Sequence, residues 1–145
     1  MLDVYFNQQI SMDARGRVTA PSRLKSALDA SRTRSLVFIV HGDRLRGYTP
    51  ADFKERVEKP LLLDDPFDPY HDEKQLLRLG SATEIDIDSQ GRFVVPVELR
   101  QMAGLGDRLV MISMLDRIEI WDAARFSVAW EAARARRDTL GGVGA

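Results

Sequence analysis

The sequence predicts a β-rich α+β fold made of two tandem, pseudo-symmetric units of hairpin and helix that interlock around a shared core. One observation is size: 145 residues, 44% hydrophobic and 30% charged, suit one compact unit or two small halves with a common core. The second is an internal repeat, because residues 85–101 (IDIDSQGRFVVPVELRQ) match residues 10–26 (ISMDARGRVTAPSRLKS) at an offset of 75. Such a repeat indicates one supersecondary unit used twice, and neither unit would bury its sheet alone.

Each copy begins with a short strand and a tight turn. Ile10 and Met12 alternate with polar residues, as do the apolar residues at 85 and 87, which is typical of a half-buried strand. In the Asp-x-x-Gly-Arg that follows, Asp and Gly stand at the first and fourth positions that a type I turn prefers. We therefore predict a hairpin across each turn, with Asp accepting backbone hydrogen bonds and Gly at positive φ.

A second strand and an amphipathic helix follow each turn. The strands RVTA and RFVV stop at Pro21 and Pro96, and proline suits the first turn of a helix. Leu24 and Leu28 share one face of the first helix, and Leu99 lies on the matching face of the second. Both copies therefore predict a strand that leads directly into a helix with one buried face.

The later part of each copy is another hairpin followed by a helix. Residues 36–53 (LVFIVHGDRLRGYTPADF) match residues 109–126 (LVMISMLDRIEIWDAARF) at an offset of 73. Thr49 and Asp122 are good N-cap residues for the helices that follow. Five aromatic residues at matching or helical positions are expected to be buried in the core rather than free to stack on bases. They are Tyr48, Phe53, Trp121, Phe126 and Trp130.

These patterns divide the chain into two repeats, at residues 5–59 and 81–137, joined by a connector at residues 60–80. The connector contains three prolines and a cluster of acids, which predicts loops with one short helix near residues 73–79. The last residues, 138–145, end in GGVGA and are predicted to be disordered.

Charge is distributed unevenly, although the formal net charge is only −1. Residues 13–46 contain eight Arg or Lys against three acids, residues 51–78 five against eight, and residues 81–122 four against eight. Residues from 123 onward contain four bases against two acids. A near-neutral chain argues weakly against nucleic-acid binding, but a basic half and an acidic half suit an anionic ligand on one face or head-to-tail association.

Composition also disfavours export and membrane insertion. The chain has no Cys, which excludes disulfides and thiolate metal sites and fits a reducing, cytoplasmic compartment. Residues 1–11 lack a basic segment followed by a long apolar run, and the longest apolar runs elsewhere are far short of a membrane span. We therefore expect no export signal and no membrane partner.

Metal, cofactor and catalytic sites are not expected. The segment DIDSQG begins like a calcium-binding EF-hand loop, but the twelfth position is Val97 where Glu is required. His41 and His71 have no matched ligands, and no nucleophile or dinucleotide motif is present. A small hydrolase using Asp13 and Asp88 is the least favoured hypothesis, because no nucleophile or cofactor loop accompanies the two carboxylates.

Together these features resemble the MraZ family. Two Asp-x-x-Gly-Arg turns stand about 75 residues apart, each followed by a strand, Pro and an amphipathic helix, and the copies close with GYTPADF and IWDAARF. The likeness runs from about residue 5 to residue 130, nearly the whole chain. MraZ proteins are transcriptional regulators encoded with bacterial division and cell-wall genes, and they are related to the swapped-hairpin DNA-binding domains of AbrB and SpoVT.

The resemblance implies a swapped-hairpin, AbrB-like barrel with peripheral helices, in which two repeats of one chain do what AbrB-type proteins achieve with two chains. It also implies a ring of many subunits that binds direct repeats in double-stranded promoter DNA, in the cytoplasm at the nucleoid, with no enzymatic activity, cofactor or metal. A homo-oligomeric scaffold or protein-interaction module without DNA binding is the alternative.

The DNA-binding residues that the resemblance implies lie in the two turns. They are Asp13, Arg15, Gly16 and Arg17 in the first copy and Asp88, Gln90, Gly91 and Arg92 in the second. The residues themselves point the same way: arginines on a hairpin tip can reach guanine or phosphates in a major groove, and Arg23 and Lys25 add nearby positive charge. Turn chemistry alone accounts for each Asp and Gly, but not for the Arg after each Gly.

The two turns differ at the position before Gly, where the family usually carries Lys or Gln. Arg15 keeps a cation at this position in the first copy, so phosphate contact is expected to survive there. Acids surround Gln90 in the second copy, which makes it a poorer phosphate binder and favours a role in folding and assembly.

Overall fold

The computed structural model describes residues 2–141 and shows a mixed α+β fold, as the sequence predicts. The strands are β1 (Asn7–Ser11), β2 (Arg17–Thr19), β3 (Ser35–His41), β4 (Arg44–Tyr48), β5 (Thr83–Asp86), β6 (Arg92–Val94), β7 (Arg108–Ser113) and β8 (Ile118–Asp122). The α-helices are α1 (Ser22–Ala30), α2 (Pro50–Phe53), α3 (Lys59–Leu62), α4 (His71–Leu79), α5 (Val97–Ala103) and α6 (Ala123–Ala135). A π-helical segment, Lys54–Glu58, joins α2 to α3, and Arg137–Thr139 forms a 3₁₀ turn.

The helices begin and end where local sequence signals place them. Pro21 and Pro96 directly precede α1 and α5, with φ of −53° and −56°. The hydroxyl of Thr49 accepts a hydrogen bond of 3.1 Å from the backbone N–H of Asp52, which confirms it as an N-cap. Gly104 ends α5 at φ +65°, a left-handed conformation that glycine adopts without strain.

The strands of the two copies are interleaved in one sheet. Six strands lie in the order β1-β7-β8-β4-β3-β5, and β2 and β6 form a separate two-stranded ribbon. Every neighbouring pair is antiparallel. Among the strands of residues 2–141, only β7–β8 and β3–β4 pair within one copy, so four of the six pairings join one copy to the other. Within residues 2–141 the sheet keeps two edges, β1 and β5, and is not a closed barrel.

The predicted hairpin across each Asp-x-x-Gly-Arg turn is wrong. The backbone N–H of Asp13 donates to the carbonyl of Arg17 at 3.2 Å, but beyond this bond the flanking strands separate. β1 pairs with β7 from residue 7 to residue 11, and β2 pairs with β6. A two-stranded hairpin is marginal in water, whereas pairing with the other copy places each strand over a shared core.

The main core lies between one face of the sheet, the ribbon, and helices α1 and α5. Phe38 of β3 is fully buried, and its ring stacks on Phe93 of the ribbon with 5.9 Å between centroids. Leu24 and Leu28 of α1 and Leu99 of α5 are buried in the same cluster, as their spacing predicts. Since β3, α1, α5 and β6 come from different copies, neither copy has a complete core of its own.

The opposite face of the sheet carries the second helix of each copy. Val37 and Ile39 form a smaller cluster with residues of the α2–α3 helix, while α6 packs on β7 and β8. Tyr48, Phe53 and Trp121 are buried, which confirms three of the five aromatic predictions. Phe126 is half-buried with its ring 5.7 Å from that of Trp121, whereas Trp130 is 49% exposed, so its predicted burial is wrong.

The connector contains α4, at the place where the sequence predicts a short helix. The predicted disordered tail begins at residue 138, within the 3₁₀ turn, and its residues 142–145 lie outside the described part of the chain. Among residues 2–141, no helix is long and apolar enough to cross a bilayer, and no group of three or more His, Cys, Asp or Glu side chains is placed to hold a metal ion.

Candidate nucleic-acid interface

Turn 1, residues 13–17, is organised by the carboxylate of Asp13. One oxygen, Oδ1, accepts hydrogen bonds from the backbone N–H groups of Arg15 and Arg17, both at 2.9 Å. The other, Oδ2, accepts from Nε of the Arg17 guanidinium at 2.7 Å. One carboxylate thus both closes the turn and fixes the direction of an arginine side chain.

Turn 2, residues 88–92, has the same geometry. Oδ1 of Asp88 accepts from the backbone N–H groups of Gln90 and Arg92 at 2.9 and 2.8 Å, and its Oδ2 accepts from Nε of Arg92 at 2.9 Å. Both arginine side chains keep 59% of their surface exposed. The pairing therefore orients each guanidinium without burying it.

These hydrogen bonds also set the ionisation of both carboxyl groups. The backbone N–H of Arg17, and then its side chain, lower the pKa of Asp13 below its ordinary value. The equivalent groups of Arg92 lower the pKa of Asp88 in the same way. Both carboxylates stay charged at neutral pH, and the bonds to their own turns engage both oxygens of each, which leaves neither free as an acid–base catalyst.

Each glycine is backed by a basic residue from the other copy. Gly16 and Gly91 have φ of +82° and +80°. The guanidinium of Arg100 lies against Gly16 and donates to the carbonyl of Ala14 at 3.3 Å. The aliphatic stem of Lys25 lies against Gly91. Lys25 and Arg100 occupy equivalent positions in the repeat, so the two copies support each other's turns reciprocally.

The ribbon brings the two arginines onto one surface. Arg17 lies opposite Val94, and Arg92 lies opposite Thr19, so the arginines form a diagonal pair on the exposed face. Diagonal neighbours of this kind are about 7–8 Å apart. Val18, between Arg17 and Thr19, points the other way into the core. Because the strands are antiparallel, turns 1 and 2 stand at opposite ends of the ribbon.

A groove with a volume of about 970 Å³ runs beside this ribbon. Its walls include β1 and the Asp–Arg pairs of both turns. The sequence-predicted arginines therefore lie on one open surface rather than at two unrelated sites.

The remaining predicted residues have different surroundings. Arg15 and Gln90 are exposed at the corners of the two turns, and within residues 2–141 the side chain of Arg15 has no acidic partner. Arg23 is exposed and donates to the carbonyl of Tyr5 at 3.2 Å. Lys25 is only 21% exposed and is paired with Asp29 of the same helix, so its geometry suits packing under turn 2 better than an open positive surface.

One buried charged network was not predicted from the sequence. Glu119 of β8 is 1% exposed and accepts from Nε1 of Trp121 and Nε of Arg117, both at 2.9 Å. Nε of Arg46 lies 3.2 Å from the same carboxylate, and the guanidinium carbon of Arg44 lies 3.8 Å from the centroid of the Trp121 ring. The sequence did carry a signal for this contact. Side chains alternate between the two faces of a strand, so in IEIW (residues 118–121) Glu119 and Trp121 are expected on the same face. The network lies on the face away from the ribbon and joins β4 to β8.

The chain is similar to known proteins along most of its length. A family model for the MraZ protein matches residues 79–138. "Transcriptional regulator MraZ" of Shewanella loihica is 35% identical, with 86% of this chain and 83% of the relative covered. The protein of the same name from Halorhodospira halophila is 32% identical, over 88% of this chain and 82% of the relative.

A third relative extends the coverage. "Transcriptional regulator MraZ" of Nitrosomonas europaea is 29% identical over 90% of this chain and 88% of its own length. These matches cover 86–90% of the chain, so they extend well beyond the segment that the family model matches and reach into both copies of the repeat. The sequence resemblance is thus confirmed, and the chain belongs to the MraZ family.

Proposed function

We propose that this protein is a transcriptional regulator of a division and cell-wall gene cluster that binds promoter DNA through turns 1 and 2. The observation that carries the proposal is the diagonal pair of exposed arginines, Arg17 and Arg92, each held by the Asp of its own turn. The names of the relatives, which describe transcriptional regulators and not enzymes, support the same conclusion. Such a regulator would work in the cytoplasm, at the nucleoid.

The chemistry of the ribbon suits a DNA groove. A two-stranded β-ribbon fits the major groove, where arginine can bind guanine O6 and N7 in a bidentate way. Arg17 and Arg92 each engage Asp through Nε, so their terminal Nη groups are available for a base or a phosphate. Arg15 and Arg23 would contact phosphates on either side, while Gln90 would offer a neutral amide at the other end of the ribbon.

The interlocked copies account for the arrangement of the arginines. We propose that residues 5–59 and 81–137 are two halves of one swapped-hairpin unit, because β1 and β5 each pair with a strand of the other copy. The ribbon then lies on the pseudo-two-fold axis, which relates turn 1 to turn 2. Where an AbrB-type protein uses two identical chains, this protein would use one chain whose two turns differ in sequence.

A single subunit offers too few cations for tight binding. Asp13 and Asp88 partly neutralise the arginines that they orient, so the surface relies on a few guanidinium groups. We therefore propose a ring of subunits, because several weak sites on one body gain from effective concentration. Cyclic neighbours repeat in the same sense and would favour direct repeats spaced about 10 base pairs apart, one helical turn.

A homo-oligomeric scaffold without DNA binding is the second candidate. The observation in its favour is the set of exposed leucines in the connector, such as Leu76 and Leu77, which suits protein contacts. In this case the turns would serve folding alone, and the arginines would only complete the Asp-centred network.

Fluorescence anisotropy with a duplex from upstream of the protein's own gene tests the proposal. The parent protein should prefer this duplex to a shuffled one, and log K should fall with log salt at about −0.9 per phosphate contacted. The double variant Arg15→Ala with Arg17→Ala should lose specific binding and reduce the salt slope. The control, Lys54→Ala with Lys59→Ala, removes the same charge from exposed positions on the other face and should bind like the parent.

Two results decide between the candidates. A turn 1 double variant that binds the promoter as tightly as the parent contradicts the assignment of the turns. A parent protein that self-associates but binds neither duplex at low salt supports the scaffold instead.

A further inference from the structure

We propose that the connector, residues 60–80, and the exposed end of α6 with the residues that follow it, residues 128–141, are the two halves of one head-to-tail interface between copies of this chain. The proposal rests on the ring suggested above and identifies the surfaces that build it. The connector lies beside β3, and α6 packs on β7 and β8, so the two surfaces belong to different regions of the sheet.

Helix α4 of the connector turns polar residues toward the protein and leucines toward solvent, which is the reverse of an ordinary surface helix. Its polar residues His71 and Gln75 are half-buried, with Nε2 of each 3.3 Å apart, and Nδ1 of His71 lies 3.3 Å from Asp64. Its leucines face outward, with Leu76 70% exposed and Leu77 75% exposed. A surface helix normally buries its apolar side, so this arrangement indicates a partner that covers the leucines.

The apolar surface continues through the rest of the connector. Four more large apolar residues, each at least 66% exposed, precede α4 in the chain. They are Leu62, Leu63, Phe67 and Tyr70. Isolated exposed hydrophobic residues are ordinary, but six large apolar side chains within one short segment mark an interaction surface.

The second surface, residues 128–141, contains the exposed end of α6 and the 3₁₀ turn that follows it. Phe126 is half-buried and stacks on Trp130, with 6.1 Å between centroids, but Trp130 itself is largely exposed. Every residue from 130 to 141 is exposed, and Val128 on the preceding turn is 71% exposed. Helical turns without tertiary contacts are marginal in water, so a partner is expected to stabilise this end.

Opposite charges make the two surfaces complementary. The connector has five acids against Lys74 and Arg78, and Lys74 already pairs with Asp64 and Asp68. Residues 128–141 have three arginines against two acids, and Arg134 already pairs with Glu131 at 3.6 Å. A contact between two connectors would gather acids, and a contact between two α6 helices would gather arginines. Charge therefore favours connector against α6, which is a head-to-tail contact that can close into a ring.

A mixing experiment tests this geometry. The connector variant carries Leu76→Glu and Leu77→Glu, and the helix variant carries Val128→Glu and Trp130→Glu. Each should be a monomer by light scattering after gel filtration, whereas the parent assembles. An equimolar mixture should form a species of twice the monomer mass, because each variant retains the surface that the other lacks.

Controls separate loss of the interface from loss of the fold. Met102→Glu changes an exposed apolar residue on α5, outside both surfaces, and should leave the assembly unchanged. Circular dichroism should give folded spectra for all variants, since the substituted side chains are exposed. If a Glu variant unfolds, the milder Leu77→Ala and Val128→Ala should each weaken assembly by at least about tenfold, a loss of about 1.4 kcal/mol.

Several outcomes would overturn the inference: a monomeric parent, either folded variant keeping the parental mass, or a mixture that stays monomeric. The mass is measured without DNA, so the result is independent of promoter binding. A parent that assembles through these surfaces but binds no DNA refutes the proposed function and supports this interface. A protein that binds DNA while its variants keep the parental mass refutes this interface alone.

Discussion

Gly16→Ala should destabilise the protein more than Gly91→Ala, although the two glycines occupy equivalent positions. Both have a positive φ near +80°, where an L-residue such as alanine is strained by about 1–2 kcal/mol. If backbone conformation alone decided the cost, the two variants would be equally unstable.

The surroundings of the two glycines make the difference. A Cβ at position 16 would lie 2.4 Å from the carbonyl oxygen of Val95. This oxygen is a backbone atom, so it can move away only if the backbone beside the ribbon moves with it. The shift would strain the 2.8 Å hydrogen bond from the Val95 N–H to the Gly16 carbonyl, worth about 0.5–1.5 kcal/mol. A Cβ at position 91 would meet the flexible stem of Lys25, at 3.3 Å, and the Ala20 side chain at an ordinary contact distance of 3.7 Å. We therefore expect a loss of about 2–3 kcal/mol for Gly16→Ala and about 1–2 kcal/mol for Gly91→Ala.

Urea unfolding and thermal unfolding of both variants and the parent measure this difference. All three proteins are compared at one concentration, because self-association adds a concentration-dependent stability. A difference of about 1 kcal/mol corresponds to about 4 °C in Tm for a chain of this size. Equal losses, or a larger loss for Gly91→Ala, would refute the role of the Val95 carbonyl.

Three further predictions concern the core, the buried network and the turns. Glu119→Gln should cost about 3 kcal/mol of unfolding free energy, because Arg46 loses its buried countercharge. Phe38→Ala should cost about 3–5 kcal/mol, since this fully buried ring stacks on Phe93; urea unfolding measures both losses. The pKa of Asp13 is lowered in the folded protein, so its stabilising contribution is complete above the ordinary value of about 3.9 and is lost as pH falls through the lowered pKa. An NMR titration of the carboxyl carbon should show a midpoint below 3.9, and a midpoint at or above that value would contradict the hydrogen-bonded turn.

The sequence predicted the elements of the fold better than their pairing. Local signals were sufficient for α1 and α5 after the prolines, for the Thr49 cap and for α4 in the connector. Strand partners depend on which apolar faces meet in three dimensions, and a local turn signal cannot decide between a hairpin and a partner about 100 residues away. β1 therefore pairs with β7 and not with β2, although the turn between them forms as predicted.

Two side chains show why residue type alone misplaces burial. Trp130 follows the helical spacing of a core residue, but it lies in the last turns of α6, where every residue from 130 onward in the described chain is exposed. Asp122 precedes α6 as an N-cap should, yet its carboxylate accepts from the backbone N–H of Gly106 at 3.0 Å. In both cases the position of a neighbouring element, which the local pattern does not contain, determines the contact.

The candidate site was predictable because its geometry is almost entirely local. Asp13 and Arg17 are four residues apart, and every bond that orients the guanidinium comes from within the turn. The sequence alone did not reveal that turn 2 would place Arg92 on the same surface, since this depends on β2 pairing with β6. Asp and Gly are required for folding whether or not DNA is bound, so their presence says little about function. The functional proposal therefore depends on the outward direction of the two guanidinium groups and on their terminal Nη groups, which the pairing through Nε leaves available to a base or a phosphate.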